Sequence, residues 1–293
     1  MATKLLHLPY VRLRLDVDQV VKVLVVCRLE HAAKAPAWMT ALDGIATFVC
    51  STYGNQPEPD VHHFRGGKWV GIVDFFHQNP DLINAYDYFW FPDDDIETQP
   101  ETALDFLKLC TSEGLELAQP ALLPSSYFAY RETIANPRFR LRRTNFVELM
   151  MPLMRRDFLV KILPLLEGKH AALGIDWVWQ TIAREPFEKV AIVDLYPMLH
   201  GRPRNLHLVG KMNSQGISLA EERAKTFASH HIQPMSPIVY SGRLKGGAET
   251  RSKLRLAFEI ALGYLSVKSK IVNGRWPETY AAKLAWRQLR ASR

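Results

Sequence analysis

Apolar residues fall in short blocks separated by glycine, proline and charge along most of the chain. "VVKVLVVCRL" (Val20–Leu29) is a β-branched run bounded by charge, the pattern of a buried strand. "IATFVCSTYG" predicts a second strand, closed by Gly54 and the polar loop "NQPEPD". Between them "APAWMTALDG" predicts a short helix ending at Gly44. "GIVDFFHQNPDLINAY" predicts helix on both sides of a proline break and leads into the strand "YDYFWF". "QPETALDFLKLCTSEG" carries Pro100 near a helix start, apolar Leu104, Leu107 and Leu109, and Gly114 at its end. Strand alternating with helix predicts an α/β fold with a mostly parallel sheet flanked by helices. Ligands of such sheets bind beyond the carboxyl ends of the strands.

The second half is more mixed. "TNFVELMMPLMRRDFLVKILPLLEG" predicts a short strand leading into a helix, "GIDWVWQTIARE" a helix start, and "KVAIVDLYPMLH" a strand. Glycines and polar residues loosen the span from Gly201 to Gly216, and a helix begins at Ser218, where Glu221 stands at capping-box spacing. The sheet and its site are expected within residues 18 to 200, leaving a core over 1–200 and, over 201–293, an acceptor-side loop with a basic, mostly helical appendage.

Composition narrows the class. The 293 residues are 47% hydrophobic and 11% aromatic, enough for one large domain or two packed ones. No repeat period or low-complexity tract interrupts them. The start, "MATKLLHLPYVRLRLDVD", has too short an apolar run for a signal peptide, and no apolar stretch is long enough to span a bilayer. Cys27, Cys50 and Cys110 lack metal-type spacing and sit among apolar neighbours, as buried free thiols do. The location expected is cytoplasmic, peripheral at the inner membrane face if the tail binds there.

The net charge of +7 is unevenly spread: residues 243–293 hold 12 Lys or Arg against 3 Glu. There the basic residues are interleaved with Leu, Phe, Tyr and Trp at helical spacing. Such a segment suits an anionic membrane surface, or a packing helix with a solvated basic face. No nucleic-acid-binding motif accompanies the charge, so no nucleic-acid partner is expected.

The chemistry concentrates in "YDYFWFPDDDIE", an aromatic block running into Asp93, Asp94 and Asp95. Adjacent carboxylates repel one another unless a cation neutralises them. Mg²⁺ and Mn²⁺ take oxygen ligands and commonly bridge carboxylates to substrate phosphates. On an extended chain Asp93 and Asp95 would share a side while Asp94 faces away. A solvated acidic turn is the alternative.

Five ordered blocks surround this triplet: "YDYFWFPDDDI", "EGLELAQPALLP", "NFVELMMPLMRRDFL", "LGIDWVWQ" and "KVAIVDLYPMLHGRP". Over Val20 to Pro203 they resemble an uncharacterised family sometimes labelled lysine-ketoglutarate reductase trans-splicing related. That family in turn resembles glycosyltransferases of the A-type, Rossmann-like fold with an Asp-x-Asp motif. The resemblance implies a nucleotide-sugar-binding core with a divalent metal, Mn²⁺ or Mg²⁺ at Asp93 and Asp95 with Asp94 beside them. His200, at a strand end, is a candidate to complete the shell, with a structural histidine as its other role. The motifs do not by themselves imply catalysis. The leading reading is a metal-dependent glycosyltransferase moving a sugar from a nucleotide-sugar donor to a glycan or glycolipid acceptor in cell-surface polysaccharide assembly. A nucleotidyltransferase or metal-dependent hydrolase using the same carboxylates is a further one. A non-catalytic nucleotide- or glycan-binding module is the alternative.

Asp176, ahead of Trp177 and Trp179 in an expected acceptor pocket, is the candidate base, with a helix N-cap as its other role. Glu148, a carboxylate in an apolar segment, is the second candidate or the partner of Arg142 or Arg143 in a buried ion pair. Lys68 in "RGGKW" and Arg28 past the first strand are candidate contacts to the donor, though "GGK" lacks P-loop spacing. His62–His63 and His230–His231 are expected at the surface. Nothing has the G-x-S-x-G elbow of a serine hydrolase.

Overall fold

A computed structural model describes residues 13–14, 20–42, 46–203, 218–233, 236–272 and 276–291. The expected helix end at Gly44 and most of the loop from Gly201 to Gly216 lie outside them. Two short strands, β1 (Leu13–Arg14) and β2 (Val20–Val21), pair with each other. The main sheet is built from β3 (Val23–Leu29), β4 (Thr47–Thr52), β5 (His62–His63), β6 (Tyr88–Trp90), β7 (Ile96–Glu97), β8 (Leu117–Leu122), β9 (Phe139–Thr144), β10 (Leu153–Arg155), β11 (Val190–His200), β12 (Val239–Leu244) and β13 (Glu249–Thr250). Its order is β13-β12-β9-β11-β8-β10-β6-β3-β4-β5, with β7 pairing off this path to β11.

One half of this sheet behaves as the alternation predicts. β3 pairs in parallel with β4 and β6, β4 with β5, and β3 is buried along its whole length. Helices α1 (Ala37–Thr40), α2 (Lys68–Gln78), α3 (Asp81–Ala85) and α4 (Pro100–Ser112) connect or follow these strands. Both faces are therefore covered, which is why these strands are apolar without alternation. α4 ends as its glycine predicts: Gly114 has φ +59°, and the Leu115 N–H reaches back to the Cys110 carbonyl.

The other half departs from the expectation of a mostly parallel sheet. β10 runs antiparallel to both β6 and β8, β9 antiparallel to β11, and β12 antiparallel to β9; β8 with β11 is the parallel pair here. The sheet is thus mixed. It also continues past residue 200, because β12 adds itself to β9 and carries β13. The C-terminal segment therefore supplies two strands to the sheet as well as its helices.

Helix α5 (Arg156–Leu166) covers one face with α2, and α6 (Ile175–Val178) is one turn long and continues as 3-10 helix. α7 (Leu219–Ser229) starts as predicted, the Glu221 N–H bonding to the Ser218 hydroxyl. α8 (Lys253–Val267) and α9 (Pro277–Arg290) form a hairpin. Two cores sandwich the sheet, and a third, holding Ile134, Phe139, Val239, Leu256, Ile260 and Leu284, lies beneath the hairpin.

Candidate metal centre

β6 delivers its chain end where the sheet chemistry predicts, and the backbone then turns at Asp94–Asp95 before pairing as β7. β7 lies antiparallel to the far end of β11, with His200 opposite Ile96 and Leu199 opposite Glu97. This short ladder brings residues about a hundred positions apart side by side. Ligand atoms of Asp93, Asp95 and His200 all lie within 4.8 Å of one another. Asp93 and Asp95 do share a side, but through a turn and not the extended chain that the spacing suggests.

The turn is fastened from several directions. The Asp93 N–H donates to the Met150 carbonyl (2.8 Å), and the Trp38 indole donates to the Ile96 carbonyl (2.7 Å). The Gly201 N–H donates to the Asp95 carbonyl (3.0 Å). A Cβ at Gly201 would stand 2.8 Å from a Glu97 carboxylate oxygen, so a larger residue would push on the ladder.

Lys68, a candidate contact to the donor phosphates, is the main fastener of this turn. Its ammonium lies 2.6 Å from Asp93 Oδ1 and 2.8–2.9 Å from the carbonyls of Phe91, Leu149 and Met150. An ammonium has three hydrogens, so these four acceptors leave it none to offer a ligand. Arg28, the other candidate contact to the donor, is engaged in the same way. It is buried, donating to Ser51 Oγ (2.8 Å) and to the carbonyls of Thr52, Phe64 and Gly66, with its Nε unpartnered among the described residues. Burial lowers its pKa to about 10. Its neighbour His62 is buried as well, against the surface position expected for it, while His231 is exposed.

His200 is oriented as a ligand would be. Its Nδ1 donates to the Tyr127 carbonyl (2.7 Å), which leaves Nε2 facing Asp95 Oδ2 at 3.2 Å. Such a bond at one ring nitrogen fixes the tautomer and presents the other. Burial works against its charge, but the hydrogen bond and charge of Asp95 prevail and raise its pKa to about 9. Burial pushes the Asp93 and Asp94 carboxyls up, against the pull of Lys68 and Arg202 respectively. Asp95 is held low: burial opposes its charge, and the His200 contact outweighs that.

Arg202 was missed by the sequence reading. Its guanidinium bonds to Asp94 Oδ1 and lies 3.3 Å from Asp95 Oδ2, with half its side chain exposed. The Tyr53 hydroxyl donates to the other Asp94 oxygen (3.2 Å). The signal was the bare placement of Arg202 two residues after His200 in "HGRP". The donor set fits a hard divalent cation: two carboxylates, one oriented imidazole and a displaceable counter-charge.

Glu148 and Asp176 are held by other partners nearby. Glu148 is buried, its carboxylate accepting from the Tyr130 N–H and the Thr133 hydroxyl, both at 3.2 Å. Among the described residues no pairing of Glu148 with Arg142 or Arg143 is found. Arg142 forms a two-pronged bridge to Asp194 (2.8 Å each), and Arg143 pairs with Glu113, Glu188 and Glu249. The residues after Glu148, Leu149 and Met150, are those whose carbonyls Lys68 holds.

Asp176 is buried in the first turn of α6 and is not its cap, a place taken by Gly174 at φ +93°. Its Oδ1 has no partner among the described residues, and burial raises its pKa to about 7. Trp177 and Trp179, expected to line an acceptor pocket, are packed instead. Trp177 stacks on Phe146 (4.6 Å), and Trp179 meets Trp69 (5.8 Å) while donating to the Val147 carbonyl. Together they tie α6 to α2 and to the irregular segment between β9 and Glu148.

A family model described as "Protein of unknown function (DUF707)" matches residues 60–145, the stretch from β5 through the aspartate turn to β9. That description carries no reductase label and no activity. No curated protein matches the chain. Among solved structures it is similar at 11% identity to "a glycosyltransferase involved in the glycosylation of the major capsid of PBCV-1", with a TM-score of 0.37 over 69% of this chain and 98% of that one. It is similar at the same identity to "A197 from STIV", with a TM-score of 0.35 over 64% of this chain and 98% of the other. Likeness this loose carries no functional weight, so the reading below rests on the side chains.

Proposed function

We propose that the chain is a metal-dependent glycosyltransferase, moving a sugar from a nucleotide-sugar donor to a glycan or glycolipid acceptor. The observation that carries this is the convergence of Asp93, Asp95 and His200 at the carboxyl end of β6, with the half-exposed Arg202 beside them. Mn²⁺ or Mg²⁺ held there would supply Lewis-acid stabilisation to a departing diphosphate.

The chain's own groups do the rest. Arg202 offers a charged fork to phosphate oxygens once it leaves Asp94 and Asp95, a geometry guanidinium suits. Tyr53 holds the Asp94 carboxylate when that happens. Asp176, with a pKa near 7 and a buried oxygen unpartnered among the described residues, takes the proton of the acceptor hydroxyl. Glu148 fixes the Tyr130–Thr133 segment that borders the Phe146–Trp177 stack.

Thermal-shift measurement with nucleoside diphosphates, with and without Mn²⁺, tests the reading. One base should raise the melting temperature when Mn²⁺ is present, and silence for all bases would overturn the proposal. Asp176→Asn should then lower turnover by roughly 10²–10⁴-fold with donor affinity nearly unchanged. Wild-type turnover should fall as pH drops below about 7, because a protonated Asp176 takes no proton. A flat profile from pH 5 to 8, expressed relative to folded protein, would place the base elsewhere.

A further inference from the structure

The α8–α9 hairpin shows two faces with different uses. Its inner face is already covered: Leu256, Ile260 and Tyr264 of α8, with Ala281 and Leu284 of α9, close the third core against Ile134 and Val239. Its ends are clamped antiparallel. Lys253 at the start of α8 donates to the Ala291 carbonyl, Lys268 pairs with Glu278, and the Tyr264 and Tyr280 rings meet at 5.5 Å.

The outer face is apolar where solvent would favour polar residues. Leu254 (74% exposed), Phe258 (56%) and Leu262 (38%) recur every four residues and so form one stripe along α8. α9 adds exposed Trp286 and Leu289, and Trp276 stands exposed just before it. None of these closes the core beneath, so fold stability does not account for them. Exposed apolar groups gathered on one element mark an interaction surface.

Charge selects the partner. Lys270, Lys283 and Arg290 are exposed on the same two helices and their flanks, as are Arg251, Arg255 and Lys268, which pair with Glu188, Glu259 and Glu278. The nearby carboxylates are already engaged: Glu259 is buried against Arg138 and Arg255, and Glu278 holds Lys268. The Arg290 guanidinium lies 4.5 Å from the centre of the Trp286 ring, pairing a cation with an amphipathic aromatic. A second copy of this chain would bring like charges together. A surface of anionic lipid headgroups over acyl chains complements both features.

We propose that the α8–α9 hairpin docks flat on an anionic lipid bilayer, inserting Leu254, Phe258 and Trp286 at the headgroup boundary. α8 has 15 residues, about 22 Å, so it lies along the interface and does not cross it. The inference stands independently of the transfer reaction. It does have a route to the metal centre: Arg131 and Glu132 contact Tyr280 and Arg287 in the hairpin, and Tyr127, a few residues earlier, fixes His200.

Vesicle flotation of the full chain tests this. Wild-type protein should float with phosphatidylserine-containing vesicles and not with pure phosphatidylcholine, and it should be released between roughly 0.1 and 0.5 M salt. The triple variant Leu254→Ser/Phe258→Ser/Trp286→Ser should lose at least about tenfold in partitioning. Lys283→Glu/Arg290→Glu, which leaves the apolar stripe intact, should lose several-fold. Unchanged melting of both variants separates this from misfolding. Failure of the wild type to float, equal flotation of wild type and both variants, or a salt-stable dimer broken by the triple change would overturn the proposal.

Discussion

Two charged clusters sit at neighbouring strand ends, and they use similar residue types to opposite effect. Beyond β3 and β4, Arg28 donates to Ser51 Oγ, Ser51 Oγ meets His62 Nδ1 at 2.7 Å, and His62 Nε2 meets Asp74 at 3.0 Å. Burial lowers the His62 pKa, so the ring is neutral, accepting from Ser51 and donating to Asp74. The buried cation thus reaches its counter-ion through two neutral hydrogen-bonding groups, which explains how an arginine lies there without a carboxylate in contact. Ser51 is fully buried, and the order Ser–His–Asp here is a structural relay with no nucleophile to offer. Beyond β6 the balance is different. Three aspartates face one lysine committed to the backbone, one imidazole and one half-exposed arginine. The first cluster closes on itself; the second is closed by a side chain that can leave. Chemistry is expected where the counter-charge is removable, whatever residue types are present.

Substitutions can break this contrast. Asp95→Asn should have the largest effect, lowering Mn²⁺-dependent nucleotide binding of the folded protein by roughly 100-fold or more. Calorimetry showing unchanged affinity would dissolve the metal centre. Arg28→Met should do the reverse: it removes a buried cation from the relay and destabilises by about 3 kcal/mol, leaving cation binding by the folded fraction intact. Gly71→Ala offers a second approach to that relay. Its Cβ would fall 2.3 Å from Arg28 Cζ, and overpacking of this kind destabilises by about 1–3 kcal/mol.

A subtler difference appears with pH. His200 in the metal-free protein has a pKa raised to about 9, so its imidazolium contributes stability that is complete below about 6.5 and lost as pH rises through 9. A loss on the order of 2 kcal/mol is expected between pH 6 and 9.5 in chelator, and His200→Gln should remove that slope. Equal slopes in both proteins would mean that the Asp95 contact contributes nothing. Arg202→Ala should have the smallest effect, strengthening Mn²⁺ binding about three- to tenfold in the absence of nucleotide, since the guanidinium competes for Asp94 and Asp95. Weaker Mn²⁺ binding would make Arg202 a support and not a competitor.

How much of this was legible follows from what each residue depends on. The parallel half of the sheet could be read because apolar runs there are uninterrupted and their connections are helices. β8 could not: it is central between β10 and β11 yet contains Pro120, whose missing N–H argues against such a place. β9 was hidden by its arginines, since "FRLRRT" carries a buried Arg142 that looks solvated until Asp194 is brought opposite. Asp93 and Asp95 drew attention because adjacent carboxylates repel without a cation, whereas the approach of His200 to them depends on the fold. The partners of Lys68 and Arg28 were hidden for the converse reason: a cation near an expected site draws attention, whereas their acceptors are mostly backbone carbonyls, which a sequence does not display.

The two-residue ladder between Ile96–Glu97 and Leu199–His200 has one more consequence. So slight a seam can part while the rest of the sheet stays intact, and parting it would scatter the three ligand atoms. Occupancy by an ion would therefore act as a latch on that seam, and the Gly201 amide, bonded across it to Asp95, should exchange with solvent far more slowly once the latch is shut.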